Sequence, residues 1–291
     1  METSDLVMRG RICAVTGATS GIGAVTAVEL AARGATVIGI GRDKNRCASR
    51  EQAIRAQTGN PNVTFYVADL SSQLQVREVA RRILDDYPHL HVLVNNVGGI
   101  FPTMVRSGDG IEMTFALNHL APFLLTSLLL DRLKASAPAR IIVVASASHA
   151  GATLDLARLD GPPGVGGRRT YGQSKLANLY FTYELARRLT GTGVTVNAVH
   201  PGVVASNFGR SAPGIVGRLM AGAMLIGSVF SINVEEGAQT SVYLATSPEV
   251  EGVTGKYFTK SRPVESSPAS HDAVMARQLW DVSLAMTGLA P

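Results

Sequence analysis

The sequence predicts an α/β fold in which one doubly wound parallel sheet carries helices on both faces within a single domain. Three observations support that expectation. Short apolar runs of strand length recur along the 291 residues, separated by longer segments of helical character. The first run, Ile12-Cys13-Ala14-Val15, passes through a glycine-rich turn directly into a helix-forming stretch. Hydrophobic residues make up 46% of the chain against 17% charged, enough apolar material for a sheet buried on both sides.

The turn Thr16-Gly17-Ala18-Thr19-Ser20-Gly21-Ile22-Gly23 organises the rest. Ala24 to Arg33 after it reads as a helix, with Gly34 as its stop. Strand, turn and helix together bring unpaired backbone N–H groups and the positive end of a helix dipole to one point. That is an anion site suited to the pyrophosphate of a dinucleotide, the arrangement of a Rossmann-type fold. In this reading Gly17 permits the tight turn, Gly21 lets backbone approach phosphate, and Gly23 lets helix pack on strand. Thr19, Ser20 and Ile22 belong to the same cradle. A glycine cluster alone is weak, since such turns also occur where nothing binds.

The second buried strand, Thr36 to Ile40, ends at Gly41-Arg42-Asp43, where such folds meet the adenosine ribose. An acid there would favour NAD(H). Gly41 stands in its place, Arg42 follows, and Lys44 and Arg46 are near. A guanidinium suits a 2′-phosphate, so the pattern favours NADP(H) over NAD(H). The bland reading is a surface arginine at a strand end, and Asp43 is discordant because a carboxylate repels phosphate.

Val63 to Asp69 reads as the third strand, followed by a polar helix through Arg82. His91 to Asn96 is the fourth and runs into Val97-Gly98-Gly99. Phe115 to Leu130 is long, apolar and helical, Ile141 to Val144 is the fifth strand, and Tyr171 to Thr190 is another long helix. Val194 to Val199 and the short Lys256 to Phe258 complete a sheet of about seven strands. No linker, repeat or low-complexity segment interrupts residues 1–291, so one domain is expected.

Bulk properties exclude several classes. The net charge of +5 comes from basic residues in short pairs such as Arg81-Arg82, Arg168-Arg169 and Arg187-Arg188, with no basic block to hold nucleic acid. Two cysteines, Cys13 and Cys47, make no disulfide framework. Met1 to Leu6 lacks the start of a secretory signal, and the longest apolar run, Leu219 to Ile232, is too short to span a bilayer. A cytoplasmic protein without a stable membrane anchor is the expectation, and no metal ligands are assigned.

Tyr171 and Lys175 are four apart and share one helix face. An ammonium beside a phenol lowers the phenol pKa toward working pH, and a tyrosine so tuned can protonate an alkoxide or deprotonate an alcohol. Such pairs are common by chance, but this one has company. Ser146 follows the fifth strand at the carboxyl end of the sheet, where its hydroxyl could polarise a carbonyl. Ser148 is the alternative serine, and either could be only a turn former. Asn118 lies in an apolar helix, where its amide needs a partner: a water linked to Lys175, or a backbone carbonyl.

Together these residues resemble the short-chain dehydrogenase/reductase family over nearly the whole chain. The matching motifs are Thr16-Gly17-x-x-x-Gly21-x-Gly23, Asn95-Asn96-Val97-Gly98, Asn118, Ser146, Tyr171-x-x-x-Lys175 and Pro201-Gly202. Within the family the chain is most similar to the retinol-dehydrogenase-like branch, through Arg42-Asp43, Asn118-His119, Ser174 to Asn178, His200-Pro201-Gly202 and Glu236 to Thr240. The resemblance implies that Ser146 polarises the carbonyl, Tyr171 transfers the proton, Lys175 binds the nicotinamide ribose, and Asn118 positions a relay water. It also implies that Asp69 and Leu70 meet the adenine and that Asn96, Val97 and Gly98 line the cofactor. Pro201, Gly202, Val204 and Ser206 would touch its nicotinamide end. Val97 departs from the usual alanine, Ser206 from the usual threonine, and Ala145 stands where relatives often have a second serine. The membrane anchor of many animal retinol dehydrogenases is not expected here, so the resemblance carries over no retinoid specificity.

The insert Ala147 to Thr170 is expected to loop over one side of the site, and a lid at 205–235 is expected to wall an apolar pocket. An equally plain reading packs the lid segment on the core or a partner subunit. The functional expectation is an NADP(H)-dependent oxidoreductase acting on a hydrophobic ketone or secondary alcohol. The alternatives are a non-catalytic NADP(H)-binding sensor or scaffold, and a dehydratase or epimerase with transient hydride transfer. Homo-oligomerisation through the two long helices is a further possibility.

Overall fold

The computed structural model describes residues 7–159, 167–202 and 233–290. Its centre is a single sheet of order β3-β2-β1-β4-β5-β6-β7-β8. The strands are β1 (Ile12–Thr16), β2 (Thr36–Gly41), β3 (Val63–Val67), β4 (Val92–Asn95), β5 (Ala139–Val144), β6 (Val194–His200), β7 (Tyr257–Thr259) and β8 (Arg262–Val264). All neighbours pair in parallel except β7 and β8, which are antiparallel. Sequence reasoning finds seven of these strands. It misses β8 because Arg262-Pro263-Val264 is exposed throughout, with a proline tolerated only at a sheet edge.

The helices are α1 (Gly21–Ala32), α2 (Lys44–Thr58), α3 (Gln73–Asp86), the short α4 (Met113–Phe115), α5 (Ala121–Ala135), α6 (Arg168–Arg188), α7 (Val234–Thr246) and α8 (Ala273–Thr287). The helix α2 has no apolar stripe to betray it, since only Cys47 and Ile54 are buried. The expected helix Phe115 to Leu130 is instead α4 and α5 joined by one π-helical turn, Ala116–Leu120. A π turn inserts one residue per turn and often marks a functional site, and this one contains Asn118.

The stretch Met113–Ala135 is long and apolar enough to cross a bilayer, a feature the search for uninterrupted apolar runs overlooks. Most of it is buried inside the fold, as in a core helix. It packs between the sheet and α3, with Phe123, Leu124, Leu129 and Leu133 almost fully buried. On the same side, Trp280 of α8 makes an edge contact with Phe123 at 5.0 Å, stacks on Phe181 at 6.1 Å and carries the Arg188 guanidinium at 4.3 Å. The face that α5 and α6 present with Phe123 and Phe181 is therefore covered by the chain's own last helix.

Register places the strand ends that matter on one line. Val15 pairs with Val94, Asn95 with Val143, Val144 with Val199 and His200 with Thr259. The chain leaves β1 and β4 in opposite directions across the sheet, and a crevice opens beyond their carboxyl ends. The lid at 205–235 lies outside the described residues, apart from its final residues at the start of α7, and so do Val204 and Ser206.

Trp280→Ala should cost roughly 3–5 kcal/mol. Chemical denaturation of the two proteins measures it; a change below about 1 kcal/mol would mean that α8 is not packed on α5 and α6 as described.

Candidate active site

A cleft of about 1510 Å³ lies along the carboxyl ends of the strands. At one end the turn after β1 supplies its wall through Gly17, Thr19, Ser20, Gly21 and Ile22. Gly17 (φ +67°) and Gly21 (φ +57°) take left-handed backbone that side chains avoid. Ser20 sits at the N-cap of α1 without a side-chain capping bond, and no acid occupies the first turn. The helix N-terminus is thus left to an external anion.

Gly23 lies behind this wall, not on it. A Cβ there would sit 2.3 Å from Asn96 Nδ2 and 2.6 Å from the Gly17 carbonyl. Asn96 itself fastens the turn: its side-chain Nδ2 donates to the Thr16 carbonyl at 2.8 Å. The buried Thr16 hydroxyl accepts from the N–H groups of Asn96 and Val97, both at 2.9 Å, and donates to the Val94 carbonyl. Asn96 and Val97 still line the cleft, but their bonds hold the ends of β1 and β4 together.

At the ribose end the structure explains why no acid follows β2. A Cβ on Gly41 would meet Thr19 Cγ2 at 2.4 Å and Cys47 Sγ at 2.9 Å, so a side chain there would have to displace Thr19 and Cys47. Arg42 and Arg46 line the cleft there. Asp43, the discordant carboxylate, accepts the Arg46 N–H at 2.9 Å and caps α2. Asp69 Oδ1 is engaged by the Ser71 N–H and hydroxyl, and Leu70 is buried on the cleft wall. A glycine turn that backbone crowding enforces, an uncapped helix start and two arginines at the ribose end fit a dinucleotide with a 2′-phosphate.

The other end gathers the candidate catalytic residues. Ser146, just past β5, caps a single 3₁₀ turn, Ala147–His149, by accepting the Ser148 N–H at 3.2 Å. Ser146 and Tyr171, the latter at the start of α6, both line the cleft at this end, and the Ser146 hydroxyl acts to lower the Tyr171 pKa. Lys175, one turn along α6, is almost fully buried; its ammonium donates to the Val144 carbonyl at 2.8 Å and lies 5.5 Å from the Tyr171 ring centre. Pro201 and Gly202 close this end, after His200.

One expectation about these groups needs correction, and one is resolved between its alternatives. Burial raises the Tyr171 pKa above the ordinary phenol value, with the Ser146 hydroxyl opposing, whereas the sequence suggests depression by Lys175. Burial also pulls Lys175 down to about 8, with no carboxylate among its causes. Of the two readings of Asn118, the backbone carbonyl is the one found: Nδ2 donates to the Gly99 carbonyl at 3.0 Å, and Oδ1 accepts the Gly99 N–H at 2.8 Å. The same Nδ2 reaches the buried Ser174 hydroxyl at 3.0 Å, which donates to the Tyr171 carbonyl. Asn118 is not on the cleft wall; it sets the loop after β4 against the helix turn that carries Tyr171 and Lys175. Gly98 leaves room for this, since a Cβ there would crowd Asn118 Oδ1 and Lys175 Nζ.

Sequence reasoning missed the apolar wall beside Tyr171: Ile100, Phe101, Met113 and Leu117 line it. The signal was present in the apolar residues that follow Gly98-Gly99 directly after a strand end. Also missed was His149, buried beneath Ser146, because a lone histidine after a strand gives no pattern.

The model of the family described as short chain dehydrogenase matches residues 11–213. Retinol dehydrogenase 14 of Homo sapiens is 41% identical over 298 residues, covering 97% of this chain and 88% of that protein. An uncharacterised protein from Mycobacterium paratuberculosis has a similar structure, with a TM-score of 0.77, 31% identity and coverage of 97% of this chain and 95% of that one. The RhlG/NADP active-site complex of Pseudomonas aeruginosa superposes with a TM-score of 0.70 at 27% identity, covering 89% of this chain and 97% of that one.

The Lys175 shift has a measurable consequence for stability. The folded pKa of about 8 lies below the unfolded value of 10.5, so between them the unfolded chain binds more protons and stability rises with pH. Relative to Lys175→Met, the wild type should therefore gain stability as pH rises from about 8 toward 10.5. Parallel denaturation series give the difference; a pH-independent difference would contradict the burial of a charged Lys175.

Proposed function

The chain belongs to the short-chain dehydrogenase family, on its retinol-dehydrogenase-like branch, and from that premise we propose that it is an NADP(H)-dependent oxidoreductase for hydrophobic carbonyls and alcohols. The observation that carries the reading is that Ser146, Tyr171 and buried Lys175 line one cleft, with the Lys175 ammonium 5.5 Å from the Tyr171 ring centre. The NADP-bound relative and the arginines beside Gly41 support the phosphorylated cofactor over NAD(H).

Bound NADP(H) supplies or accepts hydride at a carbon of the substrate. Gly21 and Ile22 would hold its pyrophosphate through backbone N–H groups, Arg42 its 2′-phosphate, and Lys175 its nicotinamide ribose. Ser146 Oγ would hydrogen-bond the substrate oxygen and hold it in reach of Tyr171 Oη. Tyr171 would give its proton to that oxygen during reduction and take one during oxidation. A phenol raised by burial suits the donor role, and Lys175, charged below about pH 8, stabilises the phenolate left behind. Asn118 would act by holding Gly99 and the first turns of α6 in place.

The apolar wall of Ile100, Phe101, Met113 and Leu117 favours a bulky hydrophobic substrate. The relative named retinol dehydrogenase makes a retinoid one member of a sensible substrate panel. The two free, buried cysteines fit a reducing compartment, and we place the protein in the cytoplasm on that basis.

Tyr171→Phe should lower kcat by about 10²–10⁴ while NADPH still binds within a few-fold. Steady-state kinetics and fluorescence titration measure the two; unchanged turnover would remove the assigned proton donor. Arg42→Ala should weaken NADPH by about tenfold while leaving NADH nearly unchanged. Equal losses for both cofactors would contradict a 2′-phosphate contact. Across carbonyls of graded size, all-trans-retinal included, kcat/KM should rise with apolar bulk, and equal rates on small polar ketones would refute the hydrophobic assignment.

A further inference from the structure

His149 is 3% exposed and both of its ring nitrogens are engaged. Nε2 lies 3.0 Å from the backbone nitrogen of Ser267, a group that can only donate. Nε2 must therefore accept, and the ring proton sits on Nδ1, which donates to the Ser146 carbonyl at 2.6 Å. The ring is held edge-on against Tyr257 at 5.2 Å. Ser146 is thus tied through one imidazole to a residue 118 positions farther along the chain.

The far end of that tie is the segment Ser266–His271, which runs across α6. Tyr183 pairs with the Ser266 hydroxyl at 2.6 Å, and Tyr180 donates to the Ala269 carbonyl at 2.7 Å. Tyr180 and Tyr183 stand on the same helix as Tyr171 and Lys175. One segment therefore grips both halves of the candidate catalytic group: α6 through two tyrosines, and the Ser146 turn through His149.

We propose that His149 is a positioning residue: its Nδ1–H, braced by the Ser267 N–H on the opposite nitrogen, holds the Ser146 backbone so that the hydroxyl stays in reach of Tyr171. The proposal rests on the reading that Ser146 orients the substrate oxygen. The 3₁₀ turn alone offers weak support: among the described residues, the hydrogen bonds of Ser146 Oγ run to the adjacent Ser148. Without the imidazole, the part-buried carbonyl at the head of that turn keeps, among the described residues, the His149 backbone N–H at 3.2 Å.

Three substitutions separate positioning from packing. An asparagine amide nitrogen can occupy the place of Nδ1 and donate to the Ser146 carbonyl. A glutamine amide oxygen can occupy the place of Nε2 and accept from Ser267, leaving Ser146 unheld. His149→Phe removes both bonds while keeping the ring. Phe and Gln variants should lose about ten- to a hundredfold in kcat with KM for NADPH unchanged, and His149→Asn should recover most of it. Equal losses in the Asn and Gln variants, or no loss in any, would overturn the proposal. Ser146→Ala serves as the control: normal turnover there would instead overturn the role given to Ser146. Independently of activity and of variant folding, ¹⁵N shifts of the wild-type histidines should show a neutral Nδ1–H tautomer for His149. An Nε2–H tautomer would also overturn the proposal.

Discussion

The constraint on which the site depends is the burial of one positive charge. Lys175 lies under the cleft, and among the described residues its ammonium donates to one backbone carbonyl, that of Val144 at the end of β5. Burying a cation opposes folding, which is why its pKa is drawn down to about 8. The fold tolerates it because the carboxyl ends of β1, β4, β5 and β6 leave polar backbone at one level. A doubly wound sheet provides such a place only beyond its strand ends, so burial and topology select the same location.

Around that charge the polar bonds serve geometry more than ligand contact. Thr16 and Asn96 join the ends of β1 and β4, and Asn118 joins the loop after β4 to the first turns of α6. The π turn at Ala116–Leu120 turns Asn118 toward Gly99 inside an otherwise apolar helix. Asn118 is bonded through both its amide oxygen and its nitrogen, and Asn96 through its amide nitrogen and its backbone N–H, so these connections are stiff. A preorganised hydroxyl, phenol and ammonium need that stiffness, because a displacement of about 1 Å would separate groups that act on one atom.

Much of this was legible in the sequence because it rests on short-range rules. The strand–glycine–helix order fixed β1, the turn and α1, and the spacing of Tyr171 and Lys175 placed both on one helix face. The glycine at position 41 marked the missing acid. What escaped depended on contacts distant in the chain. The helix α2 shows no apolar stripe, β8 is an exposed edge, and α8 is defined by Trp280 meeting Phe123 and Phe181. Asn118 was found but its work was open, since only the fold brings Gly99 and Ser174 to its amide. His149 gave no signal, because its partner Ser267 lies far along the chain. The direction of the Tyr171 shift also escaped: spacing reveals the neighbouring ammonium, while burial, which wins, is a property of the whole fold.

The central claim is that one cleft holds a dinucleotide between the Gly21–Ile22 backbone and the Ser146, Tyr171 and Lys175 side chains. A crystal structure of the NADP⁺ complex tests it most directly. The account predicts the pyrophosphate over the N-terminus of α1 and the nicotinamide ribose within hydrogen-bond reach of Lys175. An ordered dinucleotide whose nicotinamide end lies away from Tyr171 and Lys175 would contradict it.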